Sequence, residues 1–429
     1  MKSPTGAPDD QGLQQLMRNR LTRRGFMRAA GVGAAGISLA SVLPACGSET
    51  SGPSQEPSQV FSGEPEGQVE FANWPVYIDK AKDPDTGESY IPSLRMFEEE
   101  TGATVTYKQV IQENASFFSK IQPNLQAGQP TGWDIVVFTN GWEFAALVAN
   151  DWVVTLDTTK RPTFDRYAEP FAADPPFDPG AKHSMAYQSG LTGIGVNTQL
   201  VDAEITTLDD LADPAKLPPD SVGMIKADMP DLVMINLGID PLTSGPDEWN
   251  AAADWLRMQR DTGLVRQYYE QGYVDDFTAG NIAATMAWSG DVLYYQLWGG
   301  YPNLEWIFPE GGAFLWTDNM MIPTGAAHPV SALQLMDFFY RPDVATMVQE
   351  WVFYMSPCSA TQEQILADAD AAEAEGSKGY ADKLRATAEN PYLFPSDELL
   401  ANASFGRQLE NDDEKAEWDS IFEPISEGG

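Results

Sequence analysis

From Gln68 onward, short apolar segments alternate with segments of helical period, and nothing else in the chain constrains its fold as strongly. Trp133-Asp134-Ile135-Val136-Val137-Phe138 is the clearest case. A near-continuous apolar run of strand length is expected where a parallel sheet is covered on both faces. Val69–Trp74, Thr104–Tyr107, Ser221–Lys226 and Thr285–Trp288 read as further strands. Between them a helix ends before Gly102, the residue type that best accepts the left-handed turn past a helix. Phe117–Ala127, Asp231–Ile239, Asp247–Arg260, Val330–Tyr340 and Pro342–Val352 also read as helices, and the stretch from Thr361 as acidic and mostly helical. Repeated βα units predict an α/β fold with ligands beyond the carboxyl ends of strands.

The first 67 residues follow different rules. Thr22-Arg23-Arg24-Gly25-Phe26-Met27 is followed by an uncharged Gly/Ala-rich run from Ala29 and by Leu43-Pro44-Ala45-Cys46. That run is shorter than the ~20 apolar residues of a membrane-spanning helix. The order of basic, apolar and small residues predicts an export signal over residues 1–45. The Arg23–Arg24 pair marks the twin-arginine route. Leu-Pro-Ala-Cys resembles a lipobox, in which cleavage leaves Cys46 as a lipidated N-terminus. Residues 46–67, rich in Gly, Ser, Pro and Glu, read as a flexible tether with a reach of roughly 25 Å. These features predict a folded body held by lipid at the outer face of the cytoplasmic membrane.

Charge narrows the partners. Removing residues 1–45 takes away 6 of 26 basic and 2 of 63 acidic residues, which leaves 20 against 61 and a formal charge of −41. Nucleic acid is excluded as a natural partner, since phosphate binding needs a basic surface. Cysteines number only 2, Cys46 and Cys358, so no disulfide framework is expected. His183 and His328 have no metal-ligand spacing and read as solvated or structural. No Walker loop, Gly-x-Ser-x-Gly elbow or His-Glu-x-x-His motif occurs. The chain therefore reads as a binder rather than an enzyme, with no cofactor and no metal.

Aromatic side chains beside carboxylates are abundant, with 12 Trp and 15 Tyr. Asn73-Trp74-Pro75-Val76-Tyr77, Ala287-Trp288-Ser289-Gly290-Asp291 and Phe314-Leu315-Trp316-Thr317-Asp318 are each expected at a strand end. An ammonium group leaving water needs anionic acceptors, while its methylenes favour apolar contact and an aromatic face. A slot walled by Trp and Tyr with Asp at its ends suits a linear polyamine. The same ingredients serve sugar-binding clefts and carboxylate hydrolases, and composition does not separate the three.

At these residues the chain resembles the spermidine/putrescine-binding proteins of ABC importers. The matching stretches are Asn73-Trp74-x-x-Tyr77, Asp134-Ile135-Val136-Val137 and Gly193-Ile194-Gly195-Val196-Asn197. Asp228-x-x-Asp231, Trp288-x-Gly290, Glu310-Gly311-Gly312-x-x-x-Trp316-x-Asp318 and Phe338-x-x-Arg341-Pro342-Asp343-Val344-Ala345 follow in order. The resemblance implies a two-lobed periplasmic-binding-protein fold of type II, acting as a monomer that passes a polyamine to permease subunits. Lobe one would be 68–191 plus 317–362, and lobe two 192–316 plus 363–429. It assigns Trp74, Tyr77, Trp288 and Trp316 to the walls of the cleft, Asp228 and Asp231 to one amine end, and Asp318 to another amino group. Thr139 falls where the family presents a hydroxyl, and Gln408 at a C-terminal polar contact. Residues 79–88 look like an insertion at the cleft edge, and Asp291 is an added acid beside Trp288.

Overall fold

The computed structural model describes residues 57–427, apart from Pro84. The export signal, Arg23, Arg24 and Cys46 lie outside the described residues. Twelve strands are described: β1 (Gln68–Asn73), β2 (Ala81–Lys82), β3 (Ser89–Tyr90), β4 (Thr104–Gln109), β5 (Ile135–Thr139), β6 (Ser184–Asn197), β7 (Val222–Ile225), β8 (Val265–Tyr269), β9 (Ala284–Trp288), β10 (Leu304–Ile307), β11 (Ala313–Met321) and β12 (Ala403–Phe405). Successive neighbours in the main sheet are β4-β1-β5-β11-β6-β9-β7-β8, while β10 joins β6, β12 joins β11, and β2 with β3 forms a separate ribbon.

The sheet divides where two strands change partners. β6 pairs with β11 from Ser184 to Thr192, then with β9 from Thr192 to Val196, and with β10 from Ile194 to Asn197. β11 pairs with β12 through Ala313–Leu315 and with β5 through Asp318–Met321. One strand group (β4, β1, β5) and a second (β9, β7, β8, with β10 and β12) are thus joined by two shared strands, and the fold is a two-lobed α/β architecture. Helices cover the faces of both groups, and the core runs through the shared strands: β6 is buried at all 14 residues and β11 at all 9.

Pairing is mixed rather than parallel, which corrects the sequence reading. β1 runs parallel to β4 and β5, and β7 to β8 and β9. The shared strands β6 and β11 are antiparallel to each other and to β9 and β5, respectively. A strand that returns between lobes arrives from the opposite side, so βαβ handedness does not govern it. Phe314–Asp318 accordingly lies inside β11 and not at a strand end.

The second half of the expected tether is packed. Pro57–Val60 form a helical turn, Phe61 is buried, and the Lys160 ammonium donates to the Phe61 carbonyl. The Glu66 carboxylate accepts from Val330 N at 3.2 Å and Ser331 N at 2.8 Å, capping the helix Pro329–Phe338. One large apolar residue and one capping acid suffice to dock a segment whose composition reads as disordered. In the 79–88 segment, Asp79 is buried and accepts from Ser93 N at 2.8 Å, satisfying the start of helix Pro92–Thr101, and Ala81–Lys82 pair with Ser89–Tyr90 in the β2–β3 ribbon. No helix among the described residues is long and apolar enough to cross a membrane.

Candidate functional site

The C-terminal ends of β1, β5, β7 and β9 face one another where the two strand groups meet. Thr139 is the last residue of β5 and lies opposite Asp318 of β11. The Asp318 carboxylate accepts from Thr139 Oγ1 at 2.7 Å and from Tyr77 OH at 2.6 Å, the latter from the loop after β1. Trp74 stands half-buried in that same loop, its indole Nε1 enclosed and without a hydrogen-bond partner.

A second carboxylate, Asp228, immediately precedes the helix Met229–Asn236 that follows β7 and makes no side-chain bond to that helix's backbone. Its Oδ2 accepts from Trp288 Nε1 at 2.8 Å and from Thr192 Oγ1 at 2.6 Å. Thr192 sits where β6 changes partners, and its hydroxyl also receives Trp316 Nε1 at 3.2 Å. A third, Asp291, lies in the first turn of helix Ser289–Leu297. It accepts from Tyr354 OH at 2.8 Å and Tyr273 OH at 3.1 Å. Rings join the three acids. The Tyr354 ring is 5.1 Å from Trp316 and 5.9 Å from Tyr77, and Tyr273 meets Trp288 at 5.7 Å, all in edge-on geometry.

The electrostatics of this cluster are unusual. All six donors to Asp228, Asp291 and Asp318 are neutral hydroxyl or indole groups. No ion pair among the described residues ends on any of the three. Burial pushes Asp318 up to about 6, against the bonds from Thr139 and Tyr77, with Asp228 adding repulsion. Burial likewise raises Asp228 and Asp291, opposed only by their neutral donors. A buried carboxylate ordinarily has a cationic partner. Each of these has two donors and lone pairs to spare.

Asp231 and Gln408 lie beside this cluster, Asp231 within the field of Asp228 and both bonded to the C-terminal segment. Asp231 is buried against the C-terminal segment: Arg407 N donates to Oδ1 at 2.9 Å, and a Cβ on Gly406 would stand 2.8 Å from Oδ2. Burial pushes its carboxyl up to about 7, with the Arg407 backbone bond and charge opposing and repulsion from Asp228 adding to the rise. Gln408 reaches only the Gly406 carbonyl at 3.4 Å and leaves Oε1 unpartnered. Thr192, Tyr273 and Tyr354 were missed by the sequence analysis, and isolated hydroxyl residues carry no local signal that distinguishes them. His183 and His328 bond Asp178 and Asp134 at 3.0 and 2.8 Å, away from the cluster.

Two expected outcomes arise here. A Cβ on Gly190 would lie 2.2 Å from Trp316 Cζ2, so the indole packs flat on β6 only because that residue is glycine. Gly190→Ala is expected to cost about 1–3 kcal/mol, read as a lower unfolding midpoint in urea. The second concerns pH. The folded state holds a proton on Asp318 up to about 6, whereas an unfolded Asp loses it near ~3.9. That proton's contribution to stability is full below the unfolded value and is lost as pH rises through the folded one. A bound cation favours the ionised form instead. The rise in melting temperature caused by putrescine is therefore expected to be larger at pH 7.5 than at pH 5, checked by melting with and without ligand.

A sequence profile for bacterial extracellular solute-binding proteins matches residues 93–378. The spermidine/putrescine-binding periplasmic protein of Salmonella typhimurium is 27% identical over 294 residues, covering 68% of this chain and 78% of that protein. The putrescine-binding periplasmic protein PotF of Escherichia coli is 28% identical over 313 residues, 69% and 79% of the two chains. Among solved structures, the spermidine/putrescine transporter substrate-binding protein PotD of Streptococcus pneumoniae superposes with a TM-score of 0.65 at 22% identity, over 84% of this chain and 98% of that one. With two-thirds of its length matched by the profile, the chain belongs to the bacterial extracellular solute-binding protein family.

Proposed function

We propose that the protein captures a polyamine of the putrescine/spermidine type between its lobes and delivers it to the membrane subunits of an ABC importer. The observation that carries this reading is the set of three enclosed carboxylates, Asp228, Asp291 and Asp318, held by neutral donors between aromatic rings with no counter-ion among the described residues. Each ammonium end would gain a charge-assisted bond that no side chain among the described residues supplies. The methylenes would lie against Trp74, Tyr77, Trp288 and Trp316 with cation–π attraction of ~0.5–2 kcal/mol at the ends. Asp228 and Asp231 would share one amine end, with Gln408 as a polar contact from the C-terminal segment. The named polyamine ligands of the relatives support the same class.

The lobes would be 68–191 with 317–362 and 192–316 with 363–429, a division supported by the partner exchange of β6 at Thr192 and of β11 between Leu315 and Asp318. A ligand touching both lobes favours the closed form by its differential affinity. Arg23–Arg24 and Cys46 would export the monomer and anchor it by lipid outside the cytoplasmic membrane. The test is thermal melting with putrescine, spermidine or a neutral disaccharide. A ligand at 100 times its Kd stabilises by about 2.7 kcal/mol. The amines are expected to raise the midpoint and the sugar to leave it unchanged. The reverse pattern would reassign the cleft to sugars.

A further inference from the structure

Tyr273 lies outside every motif that marks the site, yet its hydroxyl bonds to two parts of it. The residue opens the helix Tyr273–Ala279, and its side chain is fully buried behind the aromatic wall. The hydroxyl accepts the backbone N–H of Trp288 at 3.0 Å and stands 3.1 Å from Asp291 Oδ2. Its ring meets the Trp288 indole edge-on at 77°. Because the oxygen accepts from Trp288, its single proton is left to point at Asp291. Tyr354 bonds the other carboxylate oxygen. The indole of Trp288 continues the chain to Asp228 at 2.8 Å. Tyr273 thus stands between a wall residue and a carboxylate, and its bond to the Trp288 backbone also fixes the start of the helix that carries Asp291.

The chain just before Tyr273 reaches the opposite lobe. Gln271 Nε2 donates to the Gln112 carbonyl at 2.8 Å, across 159 residues of sequence, and the adjoining Glu270 pairs with Lys226 at 2.8 Å. A closing contact at the rim and the anchor of the inner wall therefore share one short segment, with Gly272 between them in a left-handed conformation at φ 78°.

We propose that Tyr273 is a positioning residue of the amine site: its hydroxyl fixes Trp288 and Asp291 as one unit and orients the carboxylate that receives an ammonium group. This rests on the amine-binding reading above. Other titratable groups around Asp291 are Tyr77, Tyr295 and Tyr354, and Asp228 shares the field at Tyr273. None of these is cationic, so loss of the Tyr273 donor has nothing to offset it.

Tyr273→Phe keeps the ring and removes only the hydroxyl. In the intact protein it is expected to weaken putrescine and spermidine binding roughly tenfold or more. In an Asp291→Asn background the same change is expected to cost less than threefold, since the unit is already broken. The empty protein gives a second readout: the Asp291 carboxyl, followed by carbon NMR, should titrate at higher pH in Tyr273→Phe. An equal loss in both backgrounds, or no loss with an unmoved titration, overturns the proposal. Failure of the wild type to bind any amine would instead sink the amine reading, and the Asp291 titration would then decide the role of Tyr273 alone. Should Tyr273→Phe fold poorly, amide exchange at Trp288 serves in its place. It should quicken in Asp291→Asn, and unchanged exchange counts against the unit.

Discussion

Asp318→Asn is expected to weaken putrescine and spermidine binding about 100-fold while moving the melting temperature of the empty protein by no more than a few degrees. Removing one partner of a buried, hydrogen-bonded charge pair costs roughly 2–5 kcal/mol, and about 1.4 kcal/mol is a factor of ten. In the empty protein, however, the carboxylate is a liability. It is buried, has only Tyr77 and Thr139 as donors, and is repelled by Asp228. Asparagine removes that charge, keeps the shape, and still accepts one of the two hydroxyls, so the stability cost is one neutral hydrogen bond, ~1 kcal/mol. Titration calorimetry and melting on the same preparation separate the two effects. Unchanged affinity, or unfolding without ligand, would remove Asp318 from the site.

Trp288→Ala is the second large effect, and it differs in kind. The indole contributes a face for the alkyl chain and a donor, Nε1, to Asp228. Its loss is expected to weaken diamines and triamines alike, by roughly 100-fold from burial and cation–π terms together. It also frees Asp228 Oδ2 of one donor, so that carboxyl should titrate at still higher pH. Trp288→Phe keeps most of the face without the donor and is expected to fall between wild type and alanine. Wild-type affinity in Trp288→Ala would contradict the proposed wall, and a loss confined to one chain length would contradict its placement along the methylenes.

Much of the fold was legible because local patterns determine it. Gly102 does end a helix in the left-handed conformation, at φ 75°. The apolar run at 133–138 supplies Ile135–Phe138 of β5, all four buried. What was not legible belongs to the shared strands. β6 is buried along its whole length, so it shows no alternation. Gly190 and Gly193 give room to the indoles of Trp316 and Trp306. Antiparallel pairing of β11 with β5 depends on where the chain crosses between lobes, which no window of sequence encodes.

For the site, the acids and aromatics were conspicuous by type, and the fold brings Tyr77, Thr139 and Asp318 into contact from residues up to 241 positions apart. The hydroxyls of Thr192, Tyr273 and Tyr354 were not conspicuous, because a Thr or Tyr gains meaning only from what it faces. Asp231 matched a motif by spacing, and its further neighbours Gly406 and Arg407 carry no signal in that motif. Spacing along a helix fixes direction, while the occupant of the space ahead comes from the far end of the chain.

The most direct test of the central claim is calorimetric titration of the protein with putrescine, spermidine and a neutral disaccharide at low and high salt. The account predicts amine binding near micromolar Kd, about −8 kcal/mol, that weakens as salt rises and is lost in Asp318→Asn. Heat from the disaccharide and silence from both amines would contradict it.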